Sequence, residues 1–471
     1  MSQTLIVQQP LKNVFPVGQD VMYTVSNSQV VSTFIRVKFI AEVHISNGAP
    51  PNANTSTDLV GTFKTTPNNA GVGMFDFRPI IENFVKSDNI ARKGSSYKTN
   101  GNGSDTNVPI HLIDKFSGNK DSIRWFTVKF MVEYEDATGT LVTNAEVIAG
   151  MAIIFNGYLK YSDELLTSST LNQFGYDLDR QFKLDGTSKK FLTNAPVTQY
   201  ANIDDYGTVG LLMNNVYSSS NLSGFEEIEF NFYDSSGGYL NSDTITNNVA
   251  SGGFVFPQWS VQGFILFAGI YPANLQNWST IFQGLVSAGT IQGGYYTVNV
   301  MGGLANLISQ TYTINVNCPS QKGYEPIRLT WLNQWGLWDY YTFNMKSTKS
   351  LKTKGSTYQQ LEGSWNDSFY KINSFKGGTK TFRVNTTEKI KMNTDFVNEA
   401  ESEWFEELIN SPEVYILEGH KDDVTSSALN RYVTPVRLTT SSYTKKTVAN
   451  DKLMQYTFEV EKSKTLRTQS V

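Results

Sequence analysis

Two glutamates in "GFEEIEFNFYD", Glu227 and Glu229, stand two residues apart. On an extended chain both carboxylates share one strand face, about 7 Å apart. Paired carboxylates near that spacing are what a glycosidase or a calcium site would use. The same pair also suits a solvated strand face, and that is the expectation here. "YDLDRQFKLDG" gathers Asp177, Asp179 and Asp185. It lacks the glycine at position six and the glutamate at position twelve of a calcium loop, so an ordinary loop is expected. The histidines His44, His111 and His420 lie far apart, and none has a metal-ligating neighbour two or four residues away. His44 falls on an expected strand, as a surface or hydrogen-bonded histidine. Cys318 precedes Pro319 with no nucleophile motif around it. No Gly-x-Ser-x-Gly elbow, phosphate loop or dinucleotide fingerprint stands in the required context. The reading is therefore of a chain with no catalytic residue, metal site or cofactor: not an enzyme.

The other chemistry-bearing stretch is "EPIRLTWLNQWGLWDYYTFNM", Glu325 to Met345, which spends three of the chain's 8 tryptophans. "IRLTWLN" and "WDYYTFNM" alternate and flank "QWG", a hairpin in which Gly336 is available for positive φ. Trp331 shares a parity with Ile327 and Leu329 and is expected in a core. Trp335 sits at the turn and is expected to be exposed, with Trp338 at the start of the return strand. Both are candidate contacts, either for a neighbouring subunit or for a glycan. Only Asn333, Gln334 and Asp339 are at hand as polar partners, which favours the subunit.

The elements around these residues read as β. The chain has 471 residues, 39% hydrophobic, 17% charged and 13% aromatic, with 36 glycines. Low charge with many aromatic and uncharged polar residues suits pleated, half-buried surfaces and tight turns. The net charge is −4 and no long basic run is visible, so direct nucleic-acid readout is not expected. One cysteine excludes an intrachain disulfide. The opening "MSQTLIVQQP" lacks the pattern of a signal peptide. The most apolar runs, "VIAGMAIIFNGYL" and "VQGFILFAGIY", are too short to span a bilayer at roughly 20 residues, so no membrane insertion is expected.

Three domains are expected: a β domain over 1–160, a second over 161–318, and a β-sandwich over 319–471 with one amphipathic helix at 399–410. In the first, "TFIRVKFIAEVHIS" alternates as a strand, and "GMFDFRPIIENFV" passes from strand to short helix with Pro79 in its first turn. "IRWFTVKFMVEYED" and "LVTNAEVIAGMAIIF" flank the turn "DATGT" as a long hairpin. In the second, Phe225 to Tyr233, "GFILFAG", "GGYYTVNVMG" and "QTYTINVNC" read as strands, with no internal repeat evident. In the third, "TKTFRVNTTEKIKMNTDF" reads as a pair of extended runs. "NEAESEWFEELINSPE" has a capping box at Asn398 and Glu401 and a stripe of Ala400, Trp404 and Leu408.

Three stretches of that third region, "RLTWLNQWGLWDYYTFNM", "FVNEAESEWFEELINSPEVYIL" and "YVTPVRLTTSSYTKKTVANDKLMQYTFEVEKS", resemble the C-terminal part of structural proteins of tailed bacteriophages, particularly those of marine and Bacteroidota hosts. "GMFDFRPIIENFV" is similar to the start of such proteins. The resemblance covers a third to a half of the chain and leaves the middle uncovered. It implies a tail-tube or baseplate-hub fold and assembly into rings by sheet-to-sheet contact. No functional residue carries over, because the resemblance rests on packing patterns.

The resulting expectation is a virion structural protein, made in the host bacterial cytoplasm, that forms a symmetric ring or sleeve in a tail, baseplate or connector. Its partners would be itself and neighbouring virion proteins. The alternative is a head-associated or receptor-binding virion protein that recognises host surface glycan.

Overall fold

A computed structural model describes residues 4–91, 108–160, 166–168, 173–175, 178–184, 188–213, 225–246, 263–302, 306–318, 323–366, 368–418, 432–440, 442–444 and 454–467. The chain is mainly β, with several sheets and few helices. It divides into two compact units. The first comprises Met1–Pro319, Leu332–Asp339 and Gly419–Asn430, and the second Ser320–Trp331, Tyr340–Glu418 and Arg431–Val471. No helix among the described residues is long and apolar enough to cross a membrane.

The first unit begins with β1 (Leu5–Gln8), β2 (Val14–Gly18), β3 (Met22–Ser26), α1 (Ser28–Thr33), β4 (Ile35–Ser46), β5 (Leu59–Thr65) and β6 (Val72–Asp76). The short helix α2 (Arg78–Ile81) follows, then β7 (Phe116–Gly118), β8 (Ile123–Glu135), β9 (Leu141–Ile148) and β10 (Ala152–Tyr158). A small hairpin, β11 (Leu166–Ser168) with β12 (Gln173–Gly175), and α3 (Leu178–Gln181) come next. Then β13 (Lys183–Leu184), β14 (Thr198–Ala201), β15 (Thr208–Met213), β16 (Phe225–Tyr233), β17 (Tyr239–Thr246) and β18 (Ile265–Gly269) lead to α4 (Pro272–Trp278) and α5 (Thr280–Ser287). β19 (Tyr295–Gly302), β20 (Asn306–Leu307) and β21 (Tyr312–Val316) complete the unit.

Strand order reveals an internal repeat that is not evident in the sequence. One sheet runs β2-β10-β8-β4-β5 with β9 also on β8; another runs β14-β21-β19-β16-β17 with β20 also on β19. The two paths match strand for strand, in the same chain order. In both, the first edge pair is parallel, β2 with β10 and β14 with β21, and the remaining pairs are antiparallel. The companion sheets β1-β3-β6 and β13-β15-β18 correspond as well. Each repeat then enters a helix with proline in its first turn, Pro79 in α2 and Pro272 in α4. A proline there loses no helical hydrogen bond and has its φ preset. The repeats differ in that β13 meets β15 in parallel whereas β1 meets β3 antiparallel, and in that β7 is added to the edge of β18.

Each repeat closes on its own aromatic core. In the first, Tyr23, Phe75, Phe77, Phe126 and Phe130 pack ring to ring at 5.5–6.3 Å. In the second, Phe230, Phe232, Phe282 and Tyr296 do so at 5.3–6.4 Å. Alternation places the strand rings on inward parities, Phe77 joins them from the cap of α2 and Phe282 from α5, and each buried ring contributes on the order of 2–3 kcal/mol of transfer free energy.

The second unit is built on β22 (Ile327–Leu332), β23 (Trp338–Phe343), β24 (Thr348–Gln360), β25 (Gly363–Asn366), β26 (Phe369–Ile372), β27 (Gly378–Asn393), α6 (Glu399–Asn410), β28 (Val414–Leu417), β29 (Val433–Leu438) and β30 (Thr457–Lys462). Its sheet has the order β23-β22-β28-β29-β30-β27-β24. The expected helix occupies 399–410, and its capping box is formed: Asn398 Oδ1 accepts from Glu401 N at 2.9 Å and Glu401 Oε2 from Asn398 N at 2.9 Å. Trp404 and Phe405 lay its apolar stripe on Trp331, Tyr341 and Phe458, with centroids 4.9–5.4 Å apart. Asn398→Ala removes the Oδ1 acceptor for Glu401 N–H and is expected to cost about 1 kcal/mol, read as a lower urea midpoint at unchanged slope. The pair of extended runs read in "TKTFRVNTTEKIKMNTDF" is instead part of one strand, β27.

Candidate interaction arm

β24 and β27 pair antiparallel from Thr348↔Lys391 to Gln360↔Gly378, far beyond the sheet that holds them. β30 supports β27 only at Lys389–Asn393, and Leu466 bridges to Thr386. Past that bridge the ribbon is two strands wide among the described residues. It ends in the hairpin β25–β26, with Gly363↔Ile372 and Trp365↔Tyr370 facing across it. At about 3.3 Å per residue from Lys354 to Asn366, the arm reaches roughly 40 Å.

Local chemistry shapes the tip. Gly377 and Gly378, at φ +97° and +72°, let the chain turn where a side chain would be strained. A Cβ on Gly363 would lie 2.3 Å from the Lys371 carbonyl oxygen, and the Gly363 N–H donates to Tyr370 Oη at 2.6 Å. The side chains on this hairpin have no second layer over them among the described residues. Leu361 is 75% exposed, Phe375 73%, Trp365 70% and Ile372 68%, and Phe369 and Tyr370 are exposed beside them. Six large exposed side chains lie within fifteen residues, and the register puts Trp365, Tyr370 and Ile372 on one face of the hairpin, the kind of clustering that marks an interaction site rather than scattered surface hydrophobes.

The shaft is basic. Residues 348–393 hold nine of the chain's 39 Lys and Arg but three of its 43 Asp and Glu, leaving 30 basic and 40 acidic residues elsewhere. At the base the charges are paired: Lys389 with Glu459 at 2.8 Å, Lys462 with Glu388 at 3.1 Å, and Lys349 with Glu325 at 2.7 Å. The Lys389 bond holds the Glu459 carboxyl below its usual range. Farther out, Lys352, Lys354, Lys371, Lys376 and Arg383 form no ion pair among the described residues.

The tryptophans expected to make contacts lie elsewhere and are buried. Trp335 is 3% exposed and Trp338 2%, so neither offers a surface to a subunit or a sugar, and the expectation of exposure is corrected. Trp335 packs on Phe182 with the rings tilted at 57° and centroids 4.7 Å apart, and its Nε1 donates to Asn194 Oδ1. Asn333 Oδ1 accepts from the N–H of both Trp335 and Leu337, each at 3.0 Å, folding the turn inward. Trp338 Nε1 donates to the Asp88 carbonyl at 2.8 Å, and its ring meets His111 edge-on at 4.9 Å. Trp331 is fully buried, as expected.

Glu227 and Glu229 do share a face of β16, half-buried between β17 and β19, with Glu229 Oε2 accepting from Asn299. They face along a sheet, not across a cleft. Asp177, Asp185 and His420 lie outside the described residues, and of Asp179 only the backbone, in α3, is described. Cys318 is half-buried beside Gly293. Among the described residues no group of three or more His, Cys, Asp or Glu is placed to hold a metal ion.

His44 departs from expectation. It is 1% exposed on β4, and neither ring nitrogen has a hydrogen-bond partner. Burial lowers its pKa, opposed by Glu42 and Asp58 and aided by Lys129. The unfolded chain therefore takes up a proton near pH 6.5 that the folded chain resists, so stability falls as pH drops through that value. The slope is at most about 1.4 kcal/mol per pH unit, the limit for one proton. Urea midpoints from pH 7.5 to 5.5 should fall in the native chain and stay flatter in His44→Leu.

No family model matches the sequence, and no curated protein matches it. Among solved structures, the native conformation of E. coli alpha-2-macroglobulin aligns at 8% identity with a TM-score of 0.19, over 100% of this chain and 31% of that one. The chain thus spans under a third of that protein's length, and likeness at this level carries no argument about fold or function.

Proposed function

We propose that this chain is a structural subunit of a tailed-bacteriophage virion, in a tail, baseplate or connector, that assembles with copies of itself into a symmetric ring or sleeve. The observation that carries the assembly reading is the projecting arm, basic along its shaft and apolar at its tip. A second copy is the matching occupant because the rest of the chain is acidic, 40 against 30. Charge steers the arm, and burial of the tip holds it. The virion setting rests on the resemblance of the third region to phage structural proteins.

Light scattering on the native chain tests this. The expected result is a discrete symmetric oligomer that loses mass as salt is raised from about 0.1 to 1 M, where the screening length shrinks from about 10 to 3 Å. A monomer at all concentrations contradicts it. Trp365 and Tyr370, facing each other across the tip, favour a second reading as a receptor-binding virion protein that stacks on host glycan. Glycan-array binding lost on Trp365→Ala would select that reading.

A further inference from the structure

The internal repeat shows what belongs on an edge that the first repeat leaves open. Alignment on Pro79 and Pro272 makes Val72, Met74 and Asp76 of β6 equivalent to Ile265, Phe267 and Gly269 of β18. On β18 those residues turn their backbone groups to β7: Asn119 N–H donates to Ile265 O at 3.2 Å, Gly269 N–H donates to Lys115 O at 2.8 Å, and Phe267 faces Ser117. On β6, Phe77 N–H donates to Val21 O, and the register Tyr23↔Phe75 and Val25↔Gly73 turns the odd residues to β3. Val72, Met74 and Asp76 therefore aim their backbone groups outward.

Val72 is already satisfied by its own loop. Asn68 N–H donates to Val72 O at 2.9 Å, and Val72 N–H to Asn68 Oδ1 at 3.2 Å. Met74 and Asp76 keep an N–H and a C=O each with no partner among the described residues, and the Met74 side chain is 51% exposed. The free row is thus two residues long. It is self-complementary about a two-fold axis, because an antiparallel strand carrying the same two residues satisfies all four groups.

We infer that the open edge of β6 pairs antiparallel with β6 of a second copy, Met74 of each chain opposite Asp76 of the other. This rests on the homo-oligomeric reading but uses a contact separate from the arm. β7 on β18 shows that this edge of the fold accepts an antiparallel strand. The Asn68 loop limits the joint to these two residues and so excludes a longer strand at that end. Asp76 stands where Gly269 lets the Ile113 and Asp114 carbonyls pass within 2.6 and 3.1 Å of a Cβ, so the occupant must run straight, as β6 itself does. A two-fold contact combined with a ring contact gives two rings back to back.

The test uses the full chain with Cys318→Ser, carrying either Met74→Cys or Asp76→Cys. Opposed residues in a hydrogen-bonded antiparallel pair have Cα atoms about 5.5 Å apart, within disulfide reach, whereas the like-numbered pair is out of reach at more than about 7 Å. Under mild oxidation an equimolar mixture should give a cross-linked heterodimer that neither variant gives alone. Met74→Pro removes the outward N–H at an edge, where proline is tolerated, and should weaken association at least tenfold with unchanged circular dichroism.

No cross-link from the mixture, or equal cross-linking by each variant alone, overturns the inference. If the native chain oligomerises, Met74→Pro leaves its mass unchanged and loss of the arm tip dissociates it, the edge pairing falls and the arm reading stands. If Met74→Pro dissociates it and loss of the tip does not, the arm reading falls instead. A native chain that stays monomeric overturns both.

Discussion

Replacing Leu361, Trp365, Ile372 and Phe375 together by serine should weaken self-association at least a hundredfold while leaving the thermal midpoint within a couple of degrees. The four side chains are the most exposed of the tip, so their loss removes little from the isolated fold. In the assembled state each would be covered, and burying a side chain of this size contributes roughly 1.5–3 kcal/mol. The gross loss is on the order of 6–12 kcal/mol. Association itself costs several kcal/mol in lost freedom, and area converts poorly to affinity. A hundredfold effect, about 2.7 kcal/mol, is therefore a conservative floor. Sedimentation velocity across a dilution series reads the change. Unchanged mass would move the contact off the tip.

The largest effect on folding belongs to Gly336→Ala. Gly336 sits at φ +73°, in the left-handed region, and a Cβ there would lie 1.6 Å from the Asn156 carbonyl oxygen and 2.5 Å from its carbon. Backbone on the other side cannot move aside as a flexible side chain would. The hairpin turn must open, and with it the Asn333 bonds that fold Trp335 and Leu337 inward. Strain at a positive φ costs about 1–3 kcal/mol on its own, and the overlap adds to it. The expected loss is more than about 4 kcal/mol, or failure to accumulate soluble protein. A Gly336→Ala chain with a near-native urea midpoint would contradict this account of the turn.

What the sequence made legible follows its periodicities. The strand Phe225–Tyr233 and the helix 399–410 were readable because one alternates with period two and the other carries a capping box ahead of a 3.6-residue stripe. Trp331 was readable by parity with Leu329. Trp335 is not legible in the same way, because a tryptophan beside a turn glycine looks like a surface residue. Asn333 is local, but nothing local announces that Phe182 packs on the ring and holds it inward. His44 lies on the parity facing away from the main core, and burial on that side is a tertiary fact.

The arm left a different kind of trace. In "TKSLKTKGSTYQQ" neither parity is apolar, so the strand has no face to bury and gives no amphipathic signal. That absence, followed by the aromatic hairpin "GSWNDSFY", is the signature of a ribbon standing in solvent. The repeat is invisible by residue because the two copies share strand order, not side chains. "FRPIIENF" and "YPANLQNW" keep little beyond a proline at the helix start.

The central claim, that the arm of one copy docks on another, is tested most directly by zero-length carbodiimide cross-linking of mixed light and nitrogen-15 chains. The tip carries Lys371 and Lys376, which form no ion pair among the described residues. The expected result is peptides that join Lys371 or Lys376 of one isotope to Asp or Glu of the other. An oligomer in which these two lysines link only within one isotope, or not at all, would contradict the account.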